Sequence, residues 1–135
     1  MSNNSNNVAI VQQAYDCFGR GDVKGILDRL SERVSWVTPD VDGAPFYGAK
    51  SGRDGALEFF QGLGAAETVE VFEPRQYMAD EDKVIVLGRY AAKVNATGLS
   101  WESDWVHIFT INNGQIAAFR EFFDNAAAGR AFGKA

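Results

Sequence analysis

The chain has 135 residues, 46% of them hydrophobic, with ten Phe, three Trp, four Tyr and a formal net charge of −5. That length fits one domain around one buried core, and the acidic balance, with no cluster of Lys and Arg, excludes nucleic acid as a partner. Cys17 stands alone, which rules out a disulfide framework and a cysteine metal site and suits a reducing cytoplasm; no apolar run approaches the roughly 20 residues of a membrane span, and no secretion signal is recognised.

Residues 1–7 are rich in Asn and Ser and read as a disordered polar tail, with a single domain over residues 8–135. Val8, Val11, Tyr15 and Phe18 recur at helical spacing, and Gly19 to Gly21 stop that helix. Asp22 suits the cap of a second helix whose stripe is Val23, Ile26, Leu27 and Leu30. Val34 to Thr38 is β-branched and aromatic, a brief strand ending against Pro39, and a loop follows from Asp40 to Lys50. Ser51 with Asp54 forms a capping pattern ahead of Leu57, Phe59, Phe60 and Leu63, the apolar side of a third helix ending at Gly64. Thr68 to Ala79 reads as a strand interrupted at Pro74, hence bulged or at an edge.

Asp80 to Asp82 turns the chain, a charge-rich turn rather than a metal site. Lys83 to Asn95, Leu99 to Ile111 and Gln115 to Phe123 then complete an antiparallel meander, joined by Ala96-Thr97-Gly98 and by Asn112-Asn113-Gly114. Asp124 either closes the last strand as an acid or caps a short terminal helix, and the cap is the favoured reading. Helices first and a meander afterwards describe an α+β domain in which helices cover one face of a strongly curved antiparallel sheet, a cone around a pocket.

Alternation along the last hairpin groups Trp101, Ser103, Trp105, His107, Phe109 and Ile111 on one face, with Ala117, Phe119, Glu121 and Phe123 from the second strand. The only histidine and a glutamate thus sit in an aromatic wall. His107, with an ordinary pKa of ~6.5, suits general acid or base work, or is a histidine satisfied within the sheet. Glu121 is costly to bury uncompensated, so it lines a functional cavity with His107 as its partner, or is an exposed strand end or an arginine ion pair. Trp36, Tyr47, Phe60, Tyr90, Trp105, Phe119 and Phe123 line an apolar ligand site or are plain core. Cys17 reads as packing. Neither a phosphate-cradling glycine loop nor a serine nucleophile elbow occurs, and no metal or cofactor is expected. On the opposite face Val106, Ile108, Thr110, Ala118 and Phe122 are too apolar for water, which points to a homodimer through the outer sheet face.

Gly21-Asp22 after the first helix, Trp36, Tyr47-Gly48, the run Ser51 to Gly55, Phe59-Phe60, Asn113 to Ile116 and Phe119 to Asp124 follow an order and spacing that resembles the nuclear transport factor 2-like superfamily. Within it, the SnoaL-like polyketide cyclase and ketosteroid isomerase branch is the most similar. The resemblance implies the cystatin-like cone fold, with Gly88 and Tyr90 facing inward and Arg89 outward. It puts the isomerase's oxyanion acid at His107 and its tyrosine at Ala14, beside Tyr15, and its Asp base at Thr38, which cannot abstract a carbon-bound proton. Steroid isomerisation by that route is therefore not expected. The combined expectation is a domain that binds an apolar small molecule and acts on it, without a cofactor, as an isomerase, cyclase or hydratase/hydrolase through His107, Glu121 and Tyr15, with Thr38 among the ligand-binding residues. The alternative is a non-catalytic binding or dimerisation module of the same fold.

Overall fold

A computed structural model of the chain describes residues 3–134. The first helix, α1, spans Asn3–Gly19 and so starts before Val8. Asn3 to Asn7 are therefore helical rather than a loose tail, and the Asn7 amide donates to the Glu81 carbonyl at 3.3 Å. Met1 and Ser2 of the expected tail lie outside the described residues. Asp22 caps α2, Val23–Asp28, by accepting from the Gly25 N–H at 2.9 Å. This helix is shorter than the spacing predicts, because Leu30 already belongs to a strand, β1, Leu30–Val37.

Within the expected loop Ala49–Ser51 forms a short strand, β2, and α3 follows over Gly52–Ala66. Ser51 holds the N-cap position of α3 without a side-chain cap hydrogen bond, which leaves Asp54 in the first turn to complement the helix dipole. The meander is β3 (Glu67–Asp80), β4 (Lys83–Val94), β5 (Ser100–Asn112) and β6 (Gln115–Phe122), and α4 spans Asn125–Ala131. Asp124 caps α4 through Ala127 N–H at 3.0 Å, as the sequence favours.

The six strands form one curved, unclosed sheet in the order β2-β1-β6-β5-β4-β3. It is not a pure antiparallel meander: β1 lies parallel to β6, with Trp36 opposite Phe119. β2, α3 and the first three meander strands intervene between these two strands in sequence, so local alternation carries no sign of their pairing. Pro74 lies on the edge strand β3, next to one of its two register shifts, where a missing N–H does least harm.

Asn113 and Gly114, both with positive φ (52° and 76°), form the two-residue turn of the β5/β6 hairpin, matching the twist of its strands. One bulge disturbs this hairpin. Thr110 pairs with Ala118 and Ile111 with Ile116, so Ala117 is the extra residue and Ile116 takes the inward place expected of it. On β5 every residue of the predicted inner face, Trp101 to Ile111, is buried. Val11, Ala14 and Cys17 of α1 and Ala56, Phe59, Phe60 and Leu63 of α3 join those strand residues in one core. Among the described residues no helix is long and apolar enough to cross a membrane.

Candidate functional site

β5 and β6 bring His107 and Glu121 directly opposite each other on the inner face of the sheet. Their side chains meet at 2.7 Å, imidazole Nε2 to carboxylate Oε2, and both are largely buried. From α1, the Tyr15 hydroxyl reaches the other imidazole nitrogen, Nδ1, at 2.8 Å. Burial, then Tyr77 and Glu121, push the Tyr15 phenol far above its ordinary value, so it keeps its proton and donates to Nδ1. Nε2 then carries the imidazole proton and donates it to Glu121. Three residues distant in sequence thus form one hydrogen-bonded chain.

The chain lies on the wall of a cavity of about 70 Å³. Tyr15, His107 and Glu121 line it, together with Trp36, Tyr47 and Phe60. Tyr90, Trp105, Phe119 and Phe123 complete the expected set on the same wall. Thr38 is the exception and a correction. It is 3% exposed but lies off the cavity, because its Oγ1 accepts the Gly48 N–H at 2.8 Å and pins the loop there.

Gly88 and Tyr90 face inward, and Arg89 points outward to Glu102 and to Asp104 at 3.2 Å. A Cβ on Gly88 would stand 2.1 Å from Cζ2 of Trp105, its cross-strand partner, so only glycine lets that indole lie on β4. Trp105 in turn stacks on His107 at 3.9 Å between ring centroids and on Phe72 at 5.2 Å. The imidazole is therefore held on its face by Trp105, edge-on by Phe119 and at both nitrogens by hydrogen bonds.

A second polar centre, which sequence reasoning missed, lies behind the wall. Glu67, 4% exposed, accepts from the Tyr47 hydroxyl at 2.7 Å, the Tyr90 hydroxyl at 2.8 Å and the Trp101 indole N–H at 3.1 Å. Burial raises its carboxyl above the ordinary range, against the lowering effect of the three donors. Burial and Glu67 likewise raise both phenols, so Tyr47 and Tyr90 stay protonated as donors. Among the described residues no cluster of three or more His, Cys, Asp or Glu side chains could hold a metal ion.

The model of the SnoaL-like domain matches residues 11–119. An NTF2-like protein from Burkholderia xenovorans is 29% identical with a TM-score of 0.87, over 96% of this chain and 97% of that one. An NTF2-like protein of unknown function from Burkholderia pseudomallei is 27% identical with a TM-score of 0.82, over 98% of each chain. TerC, co-crystallised with polyporic acid, shares the fold at 24% identity and a TM-score of 0.80, over 96% of this chain and 99% of that one. No curated protein matches the chain.

Proposed function

The chain belongs to the SnoaL-like domain family within the NTF2-like superfamily, and from that premise we propose that it is a cofactor-free acid–base enzyme acting on a small molecule held in its cone. The observation that carries this reading is the occupation of both nitrogens of one imidazole, by Tyr15 at 2.8 Å and Glu121 at 2.7 Å, on an otherwise aromatic cavity wall. Glu121 is the proton acceptor, His107 orients it by donating from Nε2, and Tyr15, whose one proton goes to Nδ1, fixes the imidazole tautomer that makes Nε2 the donor. Isomerisation, cyclisation and addition of water all need such transfers. That TerC, of like fold, was co-crystallised with polyporic acid supports a small-molecule occupant.

Deuterium uptake at the α-carbon of 4-chromanone in D₂O, followed by proton NMR, tests the reading. The protein is expected to accelerate it over buffer, and His107→Ala to remove about 10²-fold or more of the acceleration. Binding without acceleration would leave a binding module, the second reading, which is favoured by a threonine, Thr38, standing where the resemblance puts the isomerase's Asp base.

The outer face of β5 and β6, where Phe122 is 46% exposed beside half-buried Val106 and Ile108, is the surface through which we pair two copies as a homodimer. The single buried thiol of Cys17 suits the cytoplasm, where we place the protein.

A further inference from the structure

Among the described residues two buried side-chain nitrogens lack a hydrogen-bond partner, and both are indole Nε1 atoms, of Trp36 and Trp105. Buried indole N–H groups normally find an acceptor. The third indole of this chain does, since Trp101 donates to Glu67 at 3.1 Å. Leaving such a donor without an acceptor is costly, so two of them in one wall form a recurrent pattern rather than an isolated flaw.

Their positions link them to the catalytic chain. Trp105 stacks on His107 at 3.9 Å. Trp36 stacks on Phe119 at 4.0 Å, and Phe119 meets His107 edge-on at 4.7 Å. Both tryptophans line the cavity. Neither turns easily to find an internal acceptor: Phe72 and His107 flank Trp105, whose benzo edge rests on Gly88, and Phe59, Phe60 and Phe119 surround Trp36. As it stands the cavity is narrow and both N–H groups are shut from water. A molecule that fills the cavity lies against both rings.

We infer that Trp36 and Trp105 are hydrogen-bond donors to the cavity's occupant, a flat molecule bearing at least two oxygen acceptors rather than a plain hydrocarbon. This rests on the cavity being a small-molecule site, but not on the occupant being transformed there. It also sharpens the expectation of an apolar ligand: the frame is apolar, and its oxygens fix its orientation.

The three indole N–H signals of the ¹⁵N-labelled wild-type protein test the inference, with chromone and naphthalene as probes of like frame, the first with two oxygens and the second with none. Chromone is expected to move the Trp36 and Trp105 protons downfield and slow their exchange with D₂O while the Trp101 signal stays in place; naphthalene is expected to do neither. Trp36→Phe and Trp105→Phe, which keep a ring but delete the donor, should each weaken chromone about tenfold more than they weaken naphthalene.

Chromone bound with both signals unmoved, equal losses for both probes, or no binding of either would overturn the inference. Silent indoles with continued α-deuteration of 4-chromanone would defeat it while the acid–base reading stands. Shifted indoles without deuteration would do the reverse.

Discussion

His107 and Glu121 are a directly opposed cross-strand pair whose 2.7 Å contact lies inside the cone. Such a pair is sensitive to which partner is changed. Glu121→Gln keeps an acceptor for the Nε2 proton but replaces a hydrogen bond to a charged group with a neutral one, and is expected to cost about 1 kcal/mol. Glu121→Ala strands a buried N–H and should cost about 1–3 kcal/mol. Urea unfolding checks this ranking, and equal stability of all three proteins would show that the contact contributes nothing.

Glu67 makes stability depend on pH in a defined direction. Its folded carboxyl is raised above the ordinary 4.5 by burial, so its contribution is fully present below that value and is lost as pH rises through the raised folded value. Glu67→Gln cannot ionise. The stability of the natural chain relative to this variant is therefore expected to fall as pH climbs from 4 towards neutrality, read from urea midpoints at each pH. A constant difference across that range would mean that the three donors offset the burial entirely.

Gly88→Ala should disturb the site without touching a polar atom. Its new methyl would fall 2.1 Å from the Trp105 ring and push the indole off β4 and away from His107. Overpacking of this kind costs about 1–3 kcal/mol. A thermal melt is expected to show the loss, accompanied by slower α-deuteration of 4-chromanone. An unaltered melt would indicate room beside Trp105 that the present packing denies.

Association is checked by sedimentation equilibrium, where twice the 14.8 kDa chain mass is expected. Phe122, 46% exposed with Arg120 over its ring at 5.1 Å, sits at the centre of the outer-face argument. Phe122→Asp should shift the mass towards a single chain. A monomer before the substitution would remove the proposed interface.

Those outcomes depend on residues that the sequence reveals unequally. His107 and Glu121 are legible because strand alternation runs undisturbed from Trp101 to Ile111 and from Phe119 to Phe123, so counting by two reaches the right face. The same counting fails at Ala117, where the bulge inserts a residue. It fails again for Glu67. Counting back from Phe72 selects Glu70 and Thr68, but the register shift between Val69 and Val71 reverses the parity, and Glu67 pairs with buried Val94. Thr38 is a different case, correctly read as buried, yet its hydroxyl is committed to Gly48 by a loop whose path alternation does not encode. The parallel pairing of β1 with β6 joins segments too far apart for any local pattern. The architecture was therefore readable from helices and hairpins, whereas the second acid, set beyond a bulge that reverses the alternation, was not.

The ring ¹⁵N signals of the single histidine test most directly whether Tyr15, His107 and Glu121 form one proton path. In the neutral imidazole Nδ1 is expected to resonate as a bare acceptor and Nε2 as a protonated donor, with Tyr15→Phe shifting Nδ1 and Glu121→Gln shifting Nε2. A proton resting on Nδ1, or an averaged mixture of tautomers indifferent to both substitutions, would contradict the path and the chemistry assigned to it.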